Sequence, residues 1–90
     1  MTKAEIVARI SKKTGIEKVA VQATVEELMN TIKETMSEGN QVYLRGFGTF
    51  EIKHRAAKTG RNITKNTSVE IPAHNIPKFK PSKEFLSMVK

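Results

Sequence analysis

The spacing of apolar residues changes along the 90-residue chain, and each spacing predicts a different element. Ile6, Val7 and Ile10 follow helical spacing behind Thr2-Lys-Ala-Glu5. There Thr2 reads as the N-cap and Glu5 as its partner three positions on. Ser11-Lys-Lys-Thr14 and Gly15 end this short helix. Val21, Val25, Leu28, Met29, Ile32 and Met36 recur with steps of 4, 3, 1, 3 and 4. That 3.6-residue stripe predicts a second helix from Glu17 or Lys18, stopped by Glu38-Gly39-Asn40. At about twenty residues it would be ~30 Å long.

From Gln41 the period falls to two. Val42 and Leu44 alternate with Gln41 and Tyr43, and Phe50 and Ile52 with Thr49, Glu51 and Lys53. Arg45-Gly46-Phe47-Gly48 between them is a turn, so this region reads as a hairpin lying on the helices. After Ile52 the apolar pattern fades. Thr59-Gly60 reads as a break in the strand, and Asn62 to Thr67 has turn composition. Alternation returns at Val69 and Ile71. Pro72 and Pro77 suit a sheet edge or bulges. Ile76 and Phe79 read as core anchors. Ser82, after Pro81, caps a last short helix with Phe85, Leu86 and Val89 on one face. The pattern predicts one α+β domain over residues 1–90. It has a helical-hairpin body, a small antiparallel sheet with a protruding arm at about 53–72, and a C-terminal helix.

Charge assigns the arm a task. The net charge is +7, and residues 1–44 balance six Lys/Arg against six Asp/Glu. Residues 45–90 carry ten Lys/Arg against three acids, so the whole excess lies in the second half. Arg55, Lys58, Arg61 and Lys65 fall together with no acid between them. Such a segment has too little apolar content to fold against a core, and it points to a polyanionic partner.

Size constrains the rest. With the arm set aside, the remaining core would rarely supply more than ~3–5 kcal/mol. There is no cysteine to add a disulfide or a thiolate metal site. An obligate homodimer is the expected remedy. The cysteine-free composition, the absence of an apolar leader after Met1 and the absence of a long apolar run lead us to expect a cytoplasmic protein with no membrane partner. Catalytic patterns are missing: His54 and His74 are 20 residues apart, and no serine has a G-x-S-x-G context. Gly46 and Gly48 lack the lysine and following helix of a phosphate loop. No enzyme activity, metal or cofactor is expected.

Several blocks together resemble the bacterial HU/IHF family of histone-like DNA-binding proteins. They are Glu38-Gly-Asn40, Gly46-Phe-Gly-Thr-Phe50, His54-Arg-Ala56, Thr59-Gly-Arg-Asn62 and Asn75-Ile-Pro77 with Phe79. The resemblance runs the length of the chain and is nearer the HU type. It implies an intertwined homodimer whose β-ribbon arms enter the minor groove of double-stranded DNA and bend it, in association with the nucleoid, with no cofactor. HU-type members bind with little sequence preference and favour bent, nicked or junction DNA. The alternative is a site-specific, IHF-like bending factor. RNA is the other polyanion that basic charge admits.

On this resemblance, Lys53, Arg55, Lys58, Arg61, Asn62, Ile63 and Lys65 form the DNA-binding arm. Lys3, Lys78, Lys80 and Lys83 hold phosphates around the body. Leu28, Met29, Ile32, Met36, Leu44, Phe47, Phe50 and Phe79 make the dimer core. Ile63 stands where the family usually has the proline that wedges between base pairs, and Asn66 replaces a family glycine. Isoleucine is itself a wedge-forming side chain, stiff at χ1 but without proline's fixed φ.

Overall fold

In the computed structural model, residues 1–62 and 67–90 are described. Contacts within the chain gather into two units, Met1–Glu34 and Thr35–Lys90.

The first unit is the helical hairpin. Helix α1 spans Lys3–Thr14, and α2, Lys18–Ser37, begins in this unit. The expected cap is present: the Glu5 backbone N–H donates to Thr2 Oγ1 at 3.3 Å. The Thr2 hydroxyl in turn donates to the Glu5 carboxylate at 3.3 Å. Gly15 ends α1 at φ +76°, its N–H donating to the Ser11 carbonyl. A left-handed residue here satisfies a carbonyl that the helix would otherwise leave open. Val7 and Val21 are the buried apolar side chains among the described residues. Leu28 and Met29 are 49% and 41% exposed, so the predicted stripe on α2 is covered at Val21 but open at its middle within one chain.

The second unit holds the end of α2, both sheets and the last helix. At the end of α2, Gly39 takes φ +89°. Its N–H reaches the Met36 carbonyl, and that of Asn40 reaches Thr35. These paired bonds explain the stop at Glu38-Gly39-Asn40. Strands β1 (Val42–Leu44), β2 (Gly48–Arg55) and β5 (His74–Pro81) form an antiparallel sheet in the order β1-β2-β5. Strands β3 (Lys58–Asn62) and β4 (Thr67–Ile71) form a second, two-stranded sheet. Helix α3, Lys83–Val89, follows.

One register links the two sheets. Gly48 faces Pro81 and Arg55 faces His74 in the first; Lys58 faces Ile71 and Asn62 faces Thr67 in the second. The offset is the same throughout, so β2–β3 and β4–β5 form one long hairpin interrupted only at 56–57 and 72–73. Since β1 pairs only as far as Phe50, the ribbon is two-stranded from Glu51 and Lys78 outward.

The ladder sharpens three local expectations. Thr59 and Gly60 do not break the strand but lie inside β3, because the ladder keeps both paired, with Glu70 and Val69. Pro77 lies on the edge strand β5 opposite Ile52 with no change of register, so it marks an edge and not a bulge. Ile76 and Phe79, both expected as core anchors, lie on opposite faces of the sheet. Residues three apart share a helix face but occupy opposite faces of a strand, and Ile76 lies on the Lys53 side of the sheet.

The apolar face of this sheet is held by aromatics. Phe79 lies 4.9 Å from Phe47 and 5.0 Å from Phe50 between ring centroids. Phe85 of α3 stacks on Phe47 at 5.3 Å. Two glycines make this packing feasible. Gly46 adopts φ +81° in the turn. At Gly48 a Cβ would lie 2.5 Å from the Lys80 carbonyl oxygen and 2.7 Å from the Phe79 ring. Gly48→Ala should therefore destabilise the fold by about 1–3 kcal/mol, through overpacking against backbone that cannot move aside. Thermal melting checks this, and an unchanged midpoint would contradict the close approach.

Candidate nucleic-acid interface

Alternation along β2 and β5 sorts their residues onto two faces. One carries Phe50, Ile52 and Phe79 toward the aromatic cluster. The other carries Thr49, Glu51, Lys53 and Arg55 on β2, facing Lys80, Lys78, Ile76 and His74 on β5. Four cations, Lys53, Arg55, Lys78 and Lys80, thus share one exposed face with a single acid, Glu51. These are four of the residues expected from sequence to meet phosphate, brought together by register from two segments more than twenty residues apart.

The other expected residues are placed as follows. Lys58 begins β3 opposite Ile71 and lines an open hollow at the root of the arm, of ≈ 580 Å³. Arg61 and Asn62 pair in the ladder with Ser68 and Thr67. Ile63 and Lys65 lie outside the described residues, as does Asn66. Lys83 opens α3, whose N-cap is Ser82. Ser82 also donates its hydroxyl to the Gly46 carbonyl at 2.9 Å, and its N–H bonds to the Phe47 carbonyl. Those bonds pin α3 to the β1–β2 turn, so Arg45, Lys80 and Lys83 border one open groove of ≈ 490 Å³.

Lys3 is engaged within the helical hairpin. Its ammonium lies 2.9 Å from the Glu26 carboxylate across the helical hairpin. Glu26 is held below its ordinary carboxylate value, first by the Lys3 hydrogen bond, then by one from Gln22 and by the Lys3 charge. A carboxyl lowered in this way keeps its ion pair at neutral pH. The pair is lost as pH falls through the carboxyl's lowered range, below about 4.5.

Sequence reasoning missed two contributors to this surface. Arg45 was read only as a turn residue, although its charge beside two glycines signalled an exposed site. His74 was set aside with the chemistry that the chain lacks. Among the described residues no three His, Asp or Glu side chains gather into a metal site. No described helix is long and apolar enough to cross a membrane.

Both the sequence and the fold match known proteins. The family model for "Bacterial DNA-binding protein" matches residues 1–90. The chain belongs to the bacterial DNA-binding protein family. It is 40% identical to the SPbeta prophage-derived DNA-binding protein HU 2 of Bacillus subtilis, over all of this chain and 98% of that protein. It is 39% identical to the integration host factor subunit beta of Marinobacter nauticus, over 99% of this chain and 92% of that one. Among solved structures, the Anabaena HU–DNA cocrystal structure superposes with a TM-score of 0.93 at 38% identity, covering 99% of this chain and 97% of that chain. Family membership makes this a DNA-binding architectural protein and accounts for the charge asymmetry: the cations that gather on the β2–β5 face all come from the basic second half.

Proposed function

We propose that the protein is an HU-type nucleoid protein. It acts as a homodimer whose two ribbons enter the minor groove of duplex DNA, bend it and compact it with little regard to sequence. The observation that carries this reading is the unbroken register from the cationic face of β2–β5 into the arm. It supports a rigid route along which phosphates are met first and the groove afterwards. From Glu51 to Asn62 the strand would extend ~40 Å at ~3.3 Å per residue.

The roles follow from chemistry. Lys53, Lys78, Lys80 and Lys83 neutralise phosphates. Arg55, Lys58, Arg61 and Lys65 follow the arm, with guanidinium groups suited to a narrow, electronegative groove. Asn62 hydrogen-bonds base edges, where the minor groove distinguishes little beyond A·T from G·C. Ile63 is the wedge. DNA that is already bent, nicked or joined at a junction costs less to deform, so it is preferred over intact duplex.

The homodimer is supported by surface. The chain exposes 7764 Å², where a folded monomer of 10.1 kDa would expose ~5,300 Å². The ribbon accounts for part of the excess. The open part of the α2 stripe, at Leu28 and Met29, accounts for another part and is what a second copy would cover.

Selection of bound sites from a random duplex pool tests the reading, with RNA duplexes as competitors. No consensus and weak RNA competition are expected. A sharp consensus would replace this reading with a site-specific one.

A second expectation concerns Lys3. Its charge is already offset by Glu26, which weakens its pull on a phosphate. Glu26→Gln should raise duplex affinity about 2- to 5-fold at low salt and steepen its salt dependence by roughly one phosphate per protomer. Titration against salt checks this; identical slopes would remove Lys3 from the interface.

A further inference from the structure

We infer that His74 is a further DNA-backbone contact, one that acts in its doubly protonated form and makes duplex binding stronger in mildly acidic conditions. The inference rests on the reading that the cationic face of β2–β5 meets DNA.

His74 is exposed and opens β5 directly opposite Arg55. It belongs to the face that carries Lys53, Lys78 and Lys80. It also lines the hollow at the root of the arm, together with Ile71, Ile76, two alanines, Arg55 and Lys58. A lining that mixes apolar side chains with cations suits a deoxyribose flanked by phosphates.

The hydrogen bonding of the ring decides how it can take part. His74 Nδ1 lies 2.9 Å from the Pro72 carbonyl oxygen. A carbonyl oxygen only accepts, so Nδ1 carries the hydrogen and Nε2 is the nitrogen that gains a second proton. In the neutral ring Nε2 presents a lone pair, which a phosphate oxygen repels. In the charged ring it becomes an N–H donor with a positive charge behind it. Imidazoles ordinarily make this change between about pH 5 and 8, and a phosphate alongside favours the charged form.

The surrounding charges leave His74 as the variable member of this face. Arg55 faces it across the ladder, and Lys53 lies one pair further in, opposite Ile76. Lys58 shares the hollow. The acids on adjoining strands are Glu51, opposite Lys78, and Glu70, opposite Thr59. His54 is the natural control. It occupies the other face, opposite Asn75, with Nδ1 3.1 Å from the Asn75 side-chain oxygen.

The test measures binding of the full-length protein to an intact duplex across a salt series at pH 8 and at pH 5.5, for wild type, His74→Gln and His54→Gln. For wild type and His54→Gln the slope of log K against log[salt] should steepen by about two at the lower pH, close to 0.9 for each of two phosphates per dimer. At the lowest salt, affinity should rise about 10-fold or more. His74→Gln should keep its pH 8 slope at both pH values. Equal slopes at both pH values in wild type would overturn the inference, as would an increment that persists in His74→Gln. A flat salt dependence of wild type at pH 8 would instead overturn the underlying assignment of this face to DNA.

Discussion

Replacing Arg55 with alanine will weaken duplex binding about 100-fold or more, without loss of folding. Arg55 closes the β2–β5 ladder at the point where the sheet becomes the arm, and it is exposed. Alanine at an exposed strand end leaves the aromatic packing of Phe47, Phe50 and Phe79 untouched. The loss falls on binding alone. A charge-assisted hydrogen bond contributes about 1.5–3 kcal/mol. A dimer loses two, which converts to roughly 10²- to 10⁴-fold in affinity. The salt slope should fall by roughly two. Arg55→Lys should lie between, keeping the charge but not the planar fork. Lys12→Ala, in the charge-balanced half, should change little. Wild-type affinity in Arg55→Ala would mean that the face identified from register is not the one that meets DNA.

Replacing Leu28 with aspartate will leave the chain unfolded at micromolar concentration. Within one chain Leu28 is 49% exposed and lines an open hollow on α2 with Ala23, Glu27 and Thr31. Were the lone chain the folded unit, a polar substitution at so exposed a site would change stability within about ±0.5 kcal/mol. In the proposed dimer the same position would lie in the seam that completes the core. An unpaired carboxylate buried there costs several kcal/mol, comparable with everything a domain of this size has in hand. Circular dichroism and sedimentation of wild type and variant decide between the two cases. Wild type should sediment as a dimer, with a melting point that rises with concentration. A folded, monomeric Leu28→Asp with an unchanged melting point would contradict the dimer.

Sequence carried the features set by neighbours in the chain. The Thr2 cap, the Gly39 stop and the Ser82 cap each depend on residues within a turn of each other, and each stands where residue type placed it. The α2 stripe was equally legible, because a helix repeats its face regardless of what covers it. What escaped depends on partners distant in the chain. Ile76 and Phe79 were both read as core anchors, and the ladder puts the two on opposite faces. Residue type gave Lys3 a free charge, but the crossing of α1 and α2 pairs it with Glu26, 23 positions away. His74 was invisible as a DNA contact because its meaning comes from facing Arg55. The second task of Ser82, its bond to the Gly46 carbonyl 36 residues away, left no local trace. The basic composition of the arm was plain, whereas the face on which its root cations gather needed the register.

The most direct measurement is the dependence of binding on salt, between about 50 and 200 mM, for intact duplexes of unrelated sequence. If about half of the ten cations that two copies of Lys53, Arg55, Lys58, Lys78 and Lys80 supply engage phosphate, log K will fall linearly with log[salt]. Its slope will be about −4 to −5, the same for each sequence. A flat dependence, or a slope confined to one sequence, would contradict the assignment of this ribbon and its cationic root to the DNA backbone.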